Sequence, residues 1–357
     1  MTPIAVSRDT LDWLLSEENP PVRYLTLTRL LGRPERSTVV REARRRLGDY
    51  APTHKILGDR ARFWKEGAHL YQKYRGGYWQ IIFLGEFLAP RDLAGIEVGV
   101  EFILAHQGLI AGAPFWGIHC LNANVLRAAV ALGFGDDPRV RAGLEHVAEE
   151  IIRARGVPCF IIDWSLLPTC HMSLPKVLLA MTALPPEDRS PKMRRAARVC
   201  IDRLLERDVS IYVSPRAREW YAHVQKSPEI PSSFSTRPER RERVVAAKRA
   251  WLEARGGPGP LKEKEGWRRF GFPLHYNSDI LEAMRALVQA EAPRRTPRVE
   301  HALSRILERR LPDGRWRLDF SFNGKMVADV EAKGKPSRWI TYHALSVLRY
   351  FRGLALP

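Results

Sequence analysis

Apolar positions recur along most of the chain at helical rather than strand spacing. Leu121, Val125, Leu126, Ala129 and Leu132 form one stripe over residues 120–132. Leu174, Val177, Leu178, Met181 and Leu184 repeat it over 172–184, and Ile280, Leu281, Met284 and Leu287 over 280–288. Steps of three and four put such residues on one face of an α-helix, whereas a half-buried strand would alternate. Residues 22–31, 79–88 and 339–351 predict three more apolar helices. Residues 140–155 and 192–206 predict helices of another kind, with charges on most of their surface.

The two kinds alternate, and the joints between them are alike. Asp137-Pro138-Arg139-Val140, Ser190-Pro191-Lys192-Met193 and Thr296-Pro297-Arg298-Val299 each place a capping oxygen before a proline, then a basic and an apolar residue. A side-chain oxygen there accepts free N–H groups of the first turn, and proline is preset for the first helical position. Pro34, Pro90, Pro138 and Pro191 recur at intervals of 56, 48 and 53, and Pro297 follows 106 later. The reading is about six helix hairpins of roughly 50 residues, with an insertion in the long interval. Apolar helices inside and charged helices outside predict an all-α (α/α)6 toroid forming a single domain over 1–357. An open solenoid is the competing arrangement. Two short strands, 315–322 and 325–331, are expected to form a β-hairpin at the rim around Asn323-Gly324, a pair favoured in type I′ turns.

Charge adds a second layer. The 357 residues carry 58 Lys plus Arg against 40 Asp plus Glu, a net charge of +18. Arg supplies 46 of the 58, and is spread through every segment, as expected for solvated helix faces. The interval 209–271 is denser, with 14 basic against 7 acidic residues, and residues 239–255 predict a charged helix inside it. That basic insertion is a candidate contact for a polyanion such as nucleic acid, an acidic protein or a membrane surface. No basic-then-apolar leader opens the chain, and no apolar run approaches the ~18 residues of a membrane span. The expected location is the cytoplasm, with peripheral membrane contact open, and the four cysteines are expected to be reduced there.

Leu132-Gly133-Phe134-Gly135-Asp136-Asp137-Pro138-Arg139 and Leu311-Pro312-Asp313-Gly314-Arg315-Trp316 resemble turns of the squalene-cyclase, terpenoid-cyclase and protein-prenyltransferase superfamily. The resemblance spans about 11–351. It implies an α/α toroid that takes an apolar, isoprenoid-like small molecule into its ring and guides acid- or metal-assisted carbocation chemistry. It also implies that Trp316 clasps neighbouring helices. The superfamily's catalytic signatures are absent. Asp136-Asp137 is the lone adjacent Asp pair and position 134 is Phe134, so no Asp-x-Asp-Asp motif stands there; neither Asp-Asp-x-x-Asp nor Asp-x-Cys occurs.

Other groups stand at the helix starts. His119-Cys120 and Cys170-His171 open equivalent apolar helices, and Cys159 lies in the loop before the second. Cys120, Cys159, Cys170 and His171, with His119 as an alternative ligand, would make a tetrahedral zinc set. Buried structural cysteines and a reactive thiol–imidazole pair are the alternatives, and Cys200 reads as core. Tyr78, Trp79, Trp116, Trp164, His275, Tyr276, Trp339 and Tyr342 also fall near the starts of apolar helices, where they would line a cavity mouth or pack a filled core. Asp163, Asp279 and Glu86 are the candidate proton donors, since an acid at an apolar site has a raised pKa; Asp279 reads equally as a helix-start acid. A hydrolase or lyase on the same ring would need paired carboxylates in a cleft, and no such signature stands out.

Overall fold

The structure, a computed structural model, describes residues 3–106, 119–157, 169–214 and 262–357, with six positions between 246 and 254. It is mostly helical. The helices that matter below are α1 (Arg8–Leu14), α2 (Pro20–Leu25), α3 (Thr38–Arg45), α4 (Ala51–Gly58), α5 (Gly77–Glu86), α6 (Ile96–Ala105), α7 (His119–Ala129), α8 (Pro138–Ala154), α9 (Leu174–Met181), α10 (Pro191–Leu205), α11 (Ile280–Gln289), α12 (Glu300–Glu308) and α13 (Arg338–Arg352).

The three capped joints start helices as their residues dictate. Asp137 accepts the Arg139 N–H at 2.8 Å, and Ser190 accepts that of Met193 at 3.1 Å. Thr296 accepts from Arg298 at 3.4 Å and begins a short 3-10 turn that leads into α12. Before the first joint the chain must reverse, and Gly133 takes φ 88°, a left-handed conformation open to glycine at little strain.

Apolar and charged helices then divide as their patterns require. In α9 every residue is buried, and in α5 all but the last. In α8 and α10 one stripe is buried, including Val140, Leu144, Val147 and Ile151 on α8 and Met193, Ala196 and Cys200 on α10. Successive apolar helices pack side by side: α5 on α7, α7 on α9, α9 on α11 and α11 on α13. Four of them also carry a further helix, α6 on α5, and the more charged α8 on α7, α10 on α9 and α12 on α11. At the ends of the series, α13 packs on α2, and α4 packs on α5. Ile4–Ala5 pairs in parallel with Leu354–Ala355, so the first and last described segments lie together. Nearly all the buried apolar side chains belong to one contiguous core.

Strand structure is slight. Val213–Ser214 pairs antiparallel with Lys262–Glu263. Val209, Tyr212, Trp267 and Phe270, inside the range read as insertion, are core residues. Most of the predicted charged helix at 239–255 lies outside the described residues. The hairpin expected over 315–331 does not form. That stretch is an irregular loop with isolated bridges, Arg310 to Trp316 and Arg317 to Pro336. Side chains there take the backbone partners a ladder would need. Asn323 Nδ2 donates to Glu331 O at 2.7 Å, and Asp329 accepts the Gly324 N–H at 2.8 Å. Among the described residues, no helix is long and apolar enough to cross a membrane.

Candidate functional site

The start of α5 is crossed at contact distance by the segment before it. A Cβ on Gly76 would lie 2.3 Å from Leu70 O and 2.5 Å from His69 O, so only glycine fits. This strap carries Tyr71 and Tyr74, the latter with φ 66°. Opposite it, the turn before α11 holds His275 at φ 52°. The His275 ring is enclosed by aromatic rings: Tyr74 at 4.7 Å between centroids, Phe83 at 4.5 Å, Phe322 at 4.6 Å and Trp79 at 5.7 Å. Tyr276 closes the group, edge-on to Trp79 at 4.9 Å and hydrogen-bonded through its hydroxyl to Tyr71 at 3.1 Å.

His275 is 3% exposed. Burial, with Lys176 and Lys73 adding repulsion, holds its pKa well below the ordinary histidine value, so the imidazole is uncharged. Both of its ring nitrogens are without a hydrogen-bond partner among the described residues. Two amides border it. Asn124 Nδ2 donates to His275 O at 3.0 Å and leaves Oδ1 unpartnered. Gln80 Nε2 donates to Tyr74 O at 3.3 Å and Gly76 O at 3.4 Å and leaves Oε1 unpartnered.

A second aromatic group adjoins the first through Phe83 and Phe87, 6.5 Å apart. Phe272 stacks on Trp339 at 4.1 Å, and Trp339 Nε1 donates to Tyr50 Oη at 3.1 Å. His343 lies 5.8 Å from Trp339 and 5.2 Å from Tyr342. The predicted rim aromatics therefore divide. Trp79, His275 and Tyr276 meet in one aromatic cluster, Trp339 and Tyr342 join its neighbour, and Tyr78 is buried on α5. Trp116 and Trp164 lie outside the described residues.

Two of the three candidate acids are engaged by the fold. Glu86 is ion-paired with Arg127 on α7. Burial would raise its pKa, but Arg127, with Arg285 and Lys176 farther off, outweighs burial and keeps it below the ordinary carboxylate value. Asp279 is the N-cap of α11, accepting the Glu282 N–H at 2.8 Å and the Gly271 N–H at 2.9 Å. Burial pushes its pKa to about 7 against those bonds, yet both carboxylate oxygens are engaged by backbone. Asp163 lies outside the described residues.

Of the zinc set, the described residues bring only Cys120 and Cys170 together. Cys120 and Cys170 come together, each hydrogen-bonded to the Ser173 hydroxyl, which lies 3.3 Å from Cys170 Sγ. Burial, and Cys170 beside it, push the Cys120 thiol up to about 12, which disfavours the thiolate a metal needs. His171 packs instead on Tyr212 at 5.6 Å, and burial with Arg207 and Arg203 brings it down to about 4. His119 is buried on α7, Cys200 is core on α10, and Cys159 lies outside the described residues. Among the described residues no three His, Cys, Asp or Glu side chains converge as metal ligands.

One charged pair was not foreseen. Lys176 Nζ lies 3.0 and 2.9 Å from the two Glu282 carboxylate oxygens, and Ser278 Oγ is 2.5 Å from one of them. The signal was present, since Lys176 and Glu282 each interrupt an otherwise apolar stripe. Outside the strap, a cleft of about 260 Å³ is lined by Arg62, His69, Gln72, Arg75, Gly76 and Met326, among others. Gly76 thus borders the cleft while Tyr74, two residues before it, packs in the aromatic cluster. No family model, no curated protein and no solved structure matches the chain.

Proposed function

We propose that α2 with α4, then α5, α7, α9, α11 and α13, close an (α/α)6 ring of the terpenoid-cyclase and prenyltransferase kind. In this reading the protein takes an apolar, isoprenoid-like ligand against the aromatic cluster around His275. The observation that carries it is the aromatic cluster itself: an uncharged imidazole ringed by Tyr74, Trp79, Phe83 and Phe322. Packing of α13 on α2 and of α4 on α5 supports closure of the ring. Aromatic faces hold apolar chains by burying their surface, at roughly 25 cal/mol per Å². Glu86 is ionised in a pair and Asp279 caps a helix, so among the described residues neither starts carbocation chemistry. The reading is therefore a binding function, with no acid-initiated step assigned.

Native mass spectrometry of the full chain with a C15 hydrocarbon tests it. The expected result is a one-to-one adduct that Trp79→Ala weakens. An unliganded spectrum at saturating hydrocarbon overturns it. A second reading, contact with a polyanion through the basic segment 209–271, is favoured by that segment's +7 share of the charge. It predicts co-purifying nucleic acid that is released by high salt.

A further inference from the structure

We infer that the cleft outside the strap binds a small phosphate monoester, with its oxyanion at Arg62 and Arg75 and its organic group against Phe63 and Met326. The inference stands apart from the apolar-ligand reading, because it concerns the cleft's own residues and not the aromatic cluster around His275. It starts from the composition of the walls. The cleft, of about 260 Å³, sets two arginines against one carboxylate, Asp59, and its apolar part is Phe63, Met326 and Val327. That leaves an excess of positive charge in a concave site, where walls of low dielectric focus the field. A volume several times the ~30 Å³ of a water admits an oxyanion with an organic group attached.

The fold brings the two arginines to one place. A Cβ on Gly77 would stand 2.9 Å from Phe63 O, so the residue after Arg62 touches the start of α5, two residues beyond Arg75. Arg75 is fixed there: Nε donates to Lys325 O at 3.3 Å and Nη2 to Gly324 O at 3.4 Å. Those partners are neutral carbonyls. Among the described residues no carboxylate pairs with Arg75, so its charge stays uncompensated and Nη1 is left for a ligand. Arg62 meets Asp59 at 3.6 Å, with side chains 75% and 45% exposed. An exposed pair of that length is worth little and yields to a doubly charged oxyanion, which guanidinium groups can take in bidentate fashion.

The backbone and a buried indole add donors at the same wall. α5 begins in the cleft, at Gly76 and Gly77. The Tyr78 N–H goes to Leu70 O at 3.3 Å and the Trp79 N–H to Gly76 O at 3.1 Å, whereas the Gly77 N–H has no partner among the described residues. Trp64 is 7% exposed, and its buried Nε1 has no partner among the described residues. Its Cδ1, bonded to that nitrogen, lies 3.1 Å from where a Cβ of Gly77 would stand. A buried donor left this way is costly, and beside the positive end of α5 it marks a wall that lacks an acceptor. His69 also lines the cleft and brings a ring N–H in either tautomer, while Gln72 offers a donor and an acceptor. Donors therefore outnumber acceptors. A phosphate monoester supplies three acceptor oxygens and up to two negative charges. A cation would meet two guanidinium groups, and a neutral alcohol would leave their charge uncompensated.

The test is isothermal titration calorimetry of the full chain at fixed ionic strength, with phenyl phosphate, inorganic phosphate and phenol as probes. Phenyl phosphate is expected to bind tightest, inorganic phosphate about threefold or more weaker, and phenol without saturation. Arg62→Gln should weaken phenyl phosphate roughly tenfold. Asp59→Asn should tighten it about two- to fivefold, because it frees Arg62 and removes the competing charge. The Asp59 side chain caps no helix N–H, so that variant keeps the fold. Arg153→Gln, on α8 and 71% exposed, loses the same charge far from the cleft's lining and should leave binding unchanged. If Arg62→Gln and Arg153→Gln weaken binding alike, the inference is overturned, since the net charge of +18 then attracts the anion generally. Phenyl phosphate that does not saturate the protein also overturns it, as does equal affinity for phenol or for inorganic phosphate. An Asp59→Asn variant that binds no tighter than the parent does the same. Each of these failures leaves the apolar-ligand reading, which has its own probe, standing.

Discussion

Lys176 and Glu282 form a buried ion pair across the contact between α9 and α11, with side chains 1% and 4% exposed. Each interrupts an apolar helix face, and each is tolerated because the other neutralises it. Removing one partner leaves an uncompensated charge in the core. Lys176→Met should therefore destabilise the protein by about 3–5 kcal/mol, while the double variant Lys176→Met with Glu282→Leu should recover most of the loss. Urea unfolding of the three proteins checks this. A Lys176→Met variant as stable as the parent would show that the pair is not a desolvated one.

Asp279 predicts a pH dependence with an unusual sign. Its folded pKa, about 7, lies above the ordinary value of 3.8. The folded state therefore holds a proton that the unfolded chain has lost across that window. The contribution to stability is full below about pH 4 and disappears as the pH rises through 7. Asp279→Asn abolishes the titration. The difference in unfolding free energy between parent and variant should drift against the parent from pH 4 to pH 7 and be flat above. The slope is the diagnostic, because the amide also changes the contact with the Gly271 N–H. A constant difference across the window would contradict the raised pKa.

His171 runs the opposite way in an overlapping range. Burial, with Arg207 and Arg203, depresses its folded pKa from 6.5 to about 4. The unfolded chain takes up a proton that the fold refuses, so stability present above pH 6.5 is lost as pH falls toward 4. His171→Phe should make the protein less sensitive to acid in that interval, measured by urea midpoints at half-unit pH steps. An unchanged acid limb would mean that His171 is already protonated or exposed in the fold.

Much of the helical plan was legible because it rests on local physics. Asp137, Ser190 and Thr296 start helices, as an oxygen before a proline requires, and the three-and-four stripes on α7, α9 and α11 are buried. The hairpin at 315–331 was misread because Asn323-Gly324 is a turn signal, and the side chains of Asn323 and Asp329 build a loop from it without a ladder. The site was legible in part. Trp79, His275 and Tyr276 were named from their place at helix starts, and they meet. Tyr71, Tyr74 and Phe322 were missed because loop residues carry no period, and only the tertiary contact of the strap with the turn before α11 brings them in. Cys120 and Cys170 do converge, as equivalent repeat positions should. His171 does not follow, since adjacent residues at a helix start point to different neighbours.

Trp316 offers the sharpest check on the repeat clasp. It is fully buried, and its indole Nε1 donates to Ile306 O, on α12, at 2.6 Å. Its backbone N–H reaches Thr341 Oγ1, on α13, at 2.9 Å. One residue thereby ties α12 to α13. Gly314, at φ 85°, supplies the turn that lets it reach both. Trp316→Phe keeps an aromatic ring but strands the Ile306 carbonyl and leaves unfilled space, and either effect alone is destabilising. A loss of about 2–4 kcal/mol is expected, with hydrogen exchange faster along α12 than along α9, which Trp316 does not bond. Thr341→Val should cost less, about 1–2 kcal/mol, because it removes the hydroxyl's two bonds to the Trp316 backbone and keeps the volume. If Trp316→Phe were as mild as Thr341→Val, the indole would be filler rather than a clasp, and the tie between α12 and α13 would have to come from the apolar contacts alone.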